Sequence, residues 1–113
     1  MSCLFCRIAK GEIPSTKVYE DDRILAFKDI DPQAPVHVLI IPKEHIDSVM
    51  DLNESNKDIV AHIFMCAKEV AEKSGIAEDG FRIVTNTGDS AGQSVKHLHF
   101  HLLGGRSLQW PPG

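Results

Sequence analysis

Residues His97-Leu98-His99-Phe100-His101-Leu102-Leu103 alternate imidazole with large apolar side chains. A period of two belongs to a β-strand, whose successive side chains point to opposite faces. The pattern predicts a strand over Val95 to Leu103, with Leu98, Phe100 and Leu102 in a core and three histidines together on the other face. Histidine is a mediocre strand former, and such a row brings titrating groups together for no structural benefit. A face that merely tolerates histidine is the bland explanation. Catalysis and metal binding are the two that justify the row, because neutral imidazole is both a nucleophile and a common ligand.

The rest of the chain fits a sheet around that strand. Lys17-Val18-Tyr19 and Ile24 to Phe27 read as a hairpin across Glu20-Asp21-Asp22, and two prolines make Asp31 to Pro35 a turn. Val36 to Ile41 is an apolar, β-branched run broken only by His37, and Pro42 ends it. Ile59, Val60, Ile63, Phe64, Ala67, Val70 and Ala71 fall at helical spacing, with Asn53 or Ser55 as the expected cap and Gly75 as the left-handed stop. Phe81 to Thr85 is a further strand. The order ββ, β, α, ββ predicts an α+β fold, a mostly antiparallel sheet with one long helix across it. At 113 residues this is one domain, 1–113, and 42% hydrophobic with 25% charged residues is globular.

Between the last two strands lies Asn86-Thr87-Gly88-Asp89-Ser90-Ala91-Gly92-Gln93-Ser94. Its glycines let the backbone approach an anion, and free N–H groups plus the Ser94 hydroxyl can hold phosphate oxygens. Such a loop feeding a histidine row places anion donors beside candidate nucleophiles. At the N-terminus, Cys3-Leu4-Phe5-Cys6 is compatible with zinc, redox chemistry or coincidence. The thioredoxin-like reading fails, because no βαβ pattern accompanies the pair. Tetrahedral zinc needs two further ligands, and His45 and His97 stand in suitable places. Twelve basic against sixteen acidic residues, net −4, argue against a nucleic-acid surface. No apolar run nears the roughly 20 residues of a membrane span, and the N-terminus lacks signal-peptide character, so cytoplasmic residence is expected.

The row, together with Phe27 to His37, Ile41-Pro42-Lys43-Glu44-His45, Gly92-Gln93-Ser94, Leu103-Gly104-Gly105-Arg106 and Trp110-Pro111-Pro112-Gly113, resembles the histidine triad (HIT) family of nucleotide hydrolases and transferases. Within it, the chain is similar to the branch that hydrolyses nucleoside phosphoramidates. The resemblance implies a HIT fold with a five-stranded sheet, one long helix and a short N-terminal helix, pairing as a homodimer into a continuous sheet. It makes His99 the nucleophile that takes a nucleotidyl group from the α-phosphorus. His101, His37 and Ser94 would contact the phosphate or leaving group. Asn86 and the backbone of Gly92, Gln93 and Ser94 would hold the phosphate, and Asp29 would accept the ribose hydroxyls. Phe5, Ile8, Ile13, Phe27 and Ile30 would form the purine pocket. Related zinc-bearing proteins imply a structural zinc on Cys3, Cys6, His45 and His97. The implied activity is purine nucleoside phosphoramidate hydrolysis. Dinucleoside polyphosphate hydrolysis or nucleotidyl transfer, and low-turnover nucleotide binding in a regulatory role, are the alternatives.

Plainer roles compete at several positions. Asp29 could cap a turn, the Phe and Ile cluster could be core, His62 could be a helix-surface histidine and Cys66 a core residue. Lys96 replaces the aromatic residue that the resemblance leads one to expect, which changes the charge at the rim.

Overall fold

The computed structural model describes residues 3–113. Its elements are helix α1 (Leu4–Ala9), strands β1 (Lys17–Glu20), β2 (Ile24–Lys28) and β3 (Val36–Pro42), helix α2 (Asp58–Lys73), and strands β4 (Phe81–Val84) and β5 (Phe100–Gly104), with 3₁₀ turns at Val49–Asp51 and Asp89–Ala91. The sheet runs β1-β2-β3-β5-β4 with every neighbouring pair antiparallel. The α+β reading and the five-stranded sheet with one long and one short helix hold.

β3 is buried along nearly its whole length because both of its faces are covered. Val38 and Ile40 join Ile24, Ala26, Leu98, Phe100 and Leu102 beneath α2, which contributes Ile59, Ile63, Cys66, Ala67, Val70 and Ala71. Leu39 and Ile41 point the other way, with Leu25 and Phe27, against Phe5 and Ile8 of α1. On the same face Phe5 of α1 packs against His97 and His99, which are buried, and His101 beyond them is half-buried.

Two boundaries depart from expectation. The last strand begins at Phe100, not Val95. Residues before it direct their backbone groups elsewhere. The N–H of Leu98 goes to the Ile46 carbonyl at 2.6 Å, and the carbonyls of His97 and His99 accept from the His99 ring and the Thr85 hydroxyl. These three groups are spent outside the ladder. The face assignment survives, since Leu98 and Phe100 are buried beneath α2. Neither Asn53 nor Ser55 caps α2. Lys57 occupies that place without a side-chain bond, while Asn53 Oδ1 accepts from the Ser55 N–H and hydroxyl in the preceding turn. Gly75, at φ 76°, ends the helix as expected.

Candidate active site

His99 is buried at the entrance to β5, and its ring is fixed by its own chain. Nδ1 lies 2.7 Å from the carbonyl of His97. A carbonyl only accepts, so Nδ1 carries the proton and the lone pair of Nε2 is left free. Phe5 packs edge-on to the ring with centroids 5.0 Å apart, and the Thr85 hydroxyl donates to the His99 carbonyl at 2.8 Å. The ring therefore has one orientation and one tautomer.

The same donor logic orders the neighbouring pair. The Gln33 N–H donates to Nδ1 of His37 at 3.0 Å, which puts the His37 proton on Nε2. That Nε2–H donates to Nδ1 of His101 at 2.9 Å, so His101 presents its own proton on Nε2. Both ring nitrogens of His37 are thus engaged inside the protein, one by the Gln33 N–H and one by the His101 ring. Arg106 holds the loop in turn, with Nε and Nη2 both donating to the Gln33 carbonyl at 3.1 and 2.9 Å. Asp29, His37 and His101 lie close enough to hold a metal ion. The Gln33 bond argues against that use, because it leaves no lone pair on His37 Nε2.

Burial lowers the His37 pKa against the pull of Asp29 and Asp31. His101 is pushed down to about 4 by burial, then by the charges of His99 and His37, with Asp29 opposing. Both rings are neutral at pH 7. An unfolded histidine takes up a proton near pH 6.5, where folded His101 does not. Its contribution to stability is therefore complete above about 6.5 and is lost as pH falls toward about 4. Denaturant midpoints measured across that window are expected to decline, and less steeply in His101→Asn.

The remaining predicted residues surround this core. Asp29 does close a turn, its Oδ1 accepting the Asp31 N–H at 2.8 Å, while Oδ2 stays 3.4 Å from His37 Nε2. Ile8, Phe27, Asp29 and Ile30 line one cavity, of about 460 Å³, with Ser15 and Lys28. Ile8 and Phe27 are buried in the α1 core with Phe5, and Ile13 packs against them, whereas Ile30 is fully exposed. Asn86 is half-buried, and Gly92 is in the left-handed region. Ser94 is exposed, on the lip of a cavity of about 900 Å³ shared with Cys6, His45 and Lys96. Gln93 is buried, and its side-chain amide bonds three backbone groups instead of facing outward. Lys96 pairs with Asp89 at 2.8 Å on the surface. His62, half-buried on α2, bonds Asp21 at 2.7 Å, and Cys66 is core.

Cys3, Cys6, His45 and His97 converge at the N-terminus of α1. The spacing of the cysteines puts Cys3 at the helix cap and Cys6 in the first turn, where its N–H faces the Cys3 sulfur at 3.4 Å. Cys3 Sγ is 3.3 Å from His97 Nδ1, and Cys6 Sγ is 3.2 Å from His45 Nδ1 and 3.5 Å from His97 Nδ1. All four ligand atoms lie within 4.8 Å of one another. Each histidine offers Nδ1 because its Nε2–H is held, by the Pro42 carbonyl at 2.8 Å for His97 and by the Asp47 carboxylate for His45. Metal-binding histidines are oriented in this way. Burial and the neighbouring Cys3 sulfur raise the Cys6 thiol pKa, with Lys10 opposing. The donor set fits a metal. Asp47, Thr85 and the backbone of Gln33 were not legible in the sequence as parts of either cluster, since each acts through a contact that only the fold creates.

The fold and the histidine row mark a class of protein, and comparisons with known proteins identify it. The HIT domain pattern matches residues 10–108. The chain is 51% identical to the 14 kDa zinc-binding protein of Zea mays, covering 97% of this chain and 87% of that one. It is 50% identical to adenylylsulfatase HINT1 of Arabidopsis thaliana, covering 97% and 76%. The crystal structure of a HIT family hydrolase from Legionella pneumophila Philadelphia 1 superposes with a TM-score of 0.97 at 54% identity, covering 99% of this chain and all of that one. The chain belongs to the HIT family.

Proposed function

We propose that the chain is a purine nucleoside phosphoramidate hydrolase working through a nucleotidyl-histidine at His99. The observation that carries this reading is the bond from His99 Nδ1–H to the His97 carbonyl, which leaves Nε2 as a nucleophile on a ring whose centroid lies 5.1 Å from that of His101. Nε2 of His99 attacks the α-phosphorus and the P–N bond breaks. The amine departs with a proton taken from solvent water, while the neutral His101 ring donates a hydrogen bond through Nε2–H to the reacting phosphate. Water then attacks the same phosphorus, the bond to His99 breaks, and the mononucleotide leaves.

Ser94, Asn86 and the backbone at Gly92 hold the phosphate. Asp29 accepts the ribose hydroxyls through the carboxylate oxygen not committed to its turn. Ile8, Ile13, Phe27 and Ile30, with Phe5 behind them, receive the purine. Cys3, Cys6, His45 and His97 hold a structural zinc, which when bound fastens α1 to the segment carrying the nucleophile. The zinc-binding names of relatives support this assignment. A second copy covers the outer edge of β4 and the nearby apolar residues Phe64, Met65 and Phe81, and Trp110 reaches toward that copy's site. Cysteines kept out of disulfides at positions 3, 6 and 66 suit the cytoplasm.

A substrate panel tests the reading. Adenosine phosphoramidate is expected to be turned over fastest, ahead of diadenosine polyphosphate. Adenylyl sulfate joins the panel because a relative is named an adenylylsulfatase. Faster turnover of the polyphosphate would replace the reading with the transferase-like alternative. Binding of AMP with turnover of none would favour the regulatory one.

A further inference from the structure

We propose that Gln93 couples the metal cluster to the phosphate loop, so that occupancy of either site strengthens the other. The inference rests on the functional reading above, in which zinc fills the first site and a nucleotide phosphate the second.

Gln93 is 5% exposed, and its amide is fully committed. Nε2 donates to the Asp47 carbonyl at 2.7 Å and to the Val95 carbonyl at 3.1 Å, and Oε1 accepts the Gly88 N–H at 3.0 Å. Each partner belongs to a different part of the site. Asp47 is the residue whose carboxylate holds His45. Gly88 opens the 3₁₀ turn of the phosphate loop, which the Gln93 N–H closes by donating to the Gly88 carbonyl at 3.1 Å. Val95 follows Ser94 at the exit of that loop. One side chain therefore pins the metal-bearing loop to both ends of the phosphate loop.

The side-chain type is specific to this task. Glutamate keeps the acceptor for Gly88 but has no hydrogens for Asp47 and Val95. Methionine has similar length and leaves three interior backbone groups without that partner. With its amide committed inward, Gln93 acts as a positioning residue, not a catalytic one. A ligand that fixes either loop lowers the cost of ordering the other, and such coupling is reciprocal.

The test uses the full chain loaded with zinc. Zinc affinity is measured by competition with a chromophoric chelator, with and without saturating AMP. In the wild type, AMP is expected to tighten zinc by about tenfold, within the usual range for coupled sites and supporting residues. In Gln93→Glu and Gln93→Met the ratio is expected to approach one, although each variant still binds both ligands. A role confined to general stability would leave that ratio at its wild-type value. The side-chain amide resonances of Gln93 in wild-type protein give a readout independent of any variant, and they are expected to shift on adding either zinc or AMP. A wild-type ratio of one, an unchanged ratio in a folded variant, or amide resonances indifferent to AMP overturns the proposal. Failure of the wild type to bind zinc or AMP at all would instead sink the functional reading beneath it.

Discussion

His99→Asn is expected to abolish turnover of adenosine phosphoramidate while AMP is still bound. Loss of a covalent nucleophile costs on the order of 10⁴- to 10⁶-fold in kcat. Asparagine is the informative replacement. Its amide hydrogen can still donate to the His97 carbonyl that His99 uses, and it lacks a nucleophilic nitrogen. Retained AMP affinity with lost turnover separates chemistry from binding. A residual rate within about tenfold of wild type would leave the nucleophile unassigned, because general acid–base help alone accounts for effects of that size or larger.

Cys6→Ser is expected to have the second largest effect, and on a different observable. Cys6 Sγ approaches both His45 and His97, so its loss opens the cluster on two sides. A structural zinc supplies folding free energy directly, and serine is a poor substitute for thiolate. Purified variant should carry far less than one zinc per chain and melt well below the wild type. His97 joins the cluster to the nucleophile through one backbone carbonyl, so kcat is expected to fall by about 10- to 100-fold in whatever remains folded. Metal content by elemental analysis, melting and kcat are read on the same preparation. Wild-type protein purified without zinc, and just as stable and active, would remove the metal from the account.

The histidine row shows how much of this site could be read in advance. Alternation assigned Leu98, Phe100 and Leu102 to one face and the histidines to the other, and the core beneath α2 takes in the first set and not the second, even where the backbone is not yet strand. The strand's true start was hidden because Thr85, Ile46 and the His99 ring claim the His99 carbonyl, the Leu98 N–H and the His97 carbonyl, and those partners meet only in the folded chain. The pairing of Cys3 and Cys6 with His45 and His97 came from residue type and resemblance, and the geometry brings all four together. Within the row, His97 Nδ1 faces the Cys3 sulfur, and the His99 and His101 rings pack against each other. Gln93 stood in the sequence as part of a phosphate loop. Its bond to Asp47 spans 46 positions, a relationship that no local spacing encodes.

The tautomers also depend on the fold. The family resemblance places His37 near the row, yet only the Gln33 N–H settles which nitrogen of His37 donates, and hence which proton His101 presents.

The central claim is that His99 carries the nucleotide between two displacements at phosphorus. Its most direct test is to quench the zinc-loaded enzyme in acid-free denaturant milliseconds after mixing with adenosine phosphoramidate, then to map modified peptides by mass spectrometry. One adenylyl group on the peptide containing residues 97–101, assigned to His99 by fragmentation and absent from His99→Asn, is the predicted result. Steady turnover with no adenylylated peptide, or with the group on another residue, would contradict it.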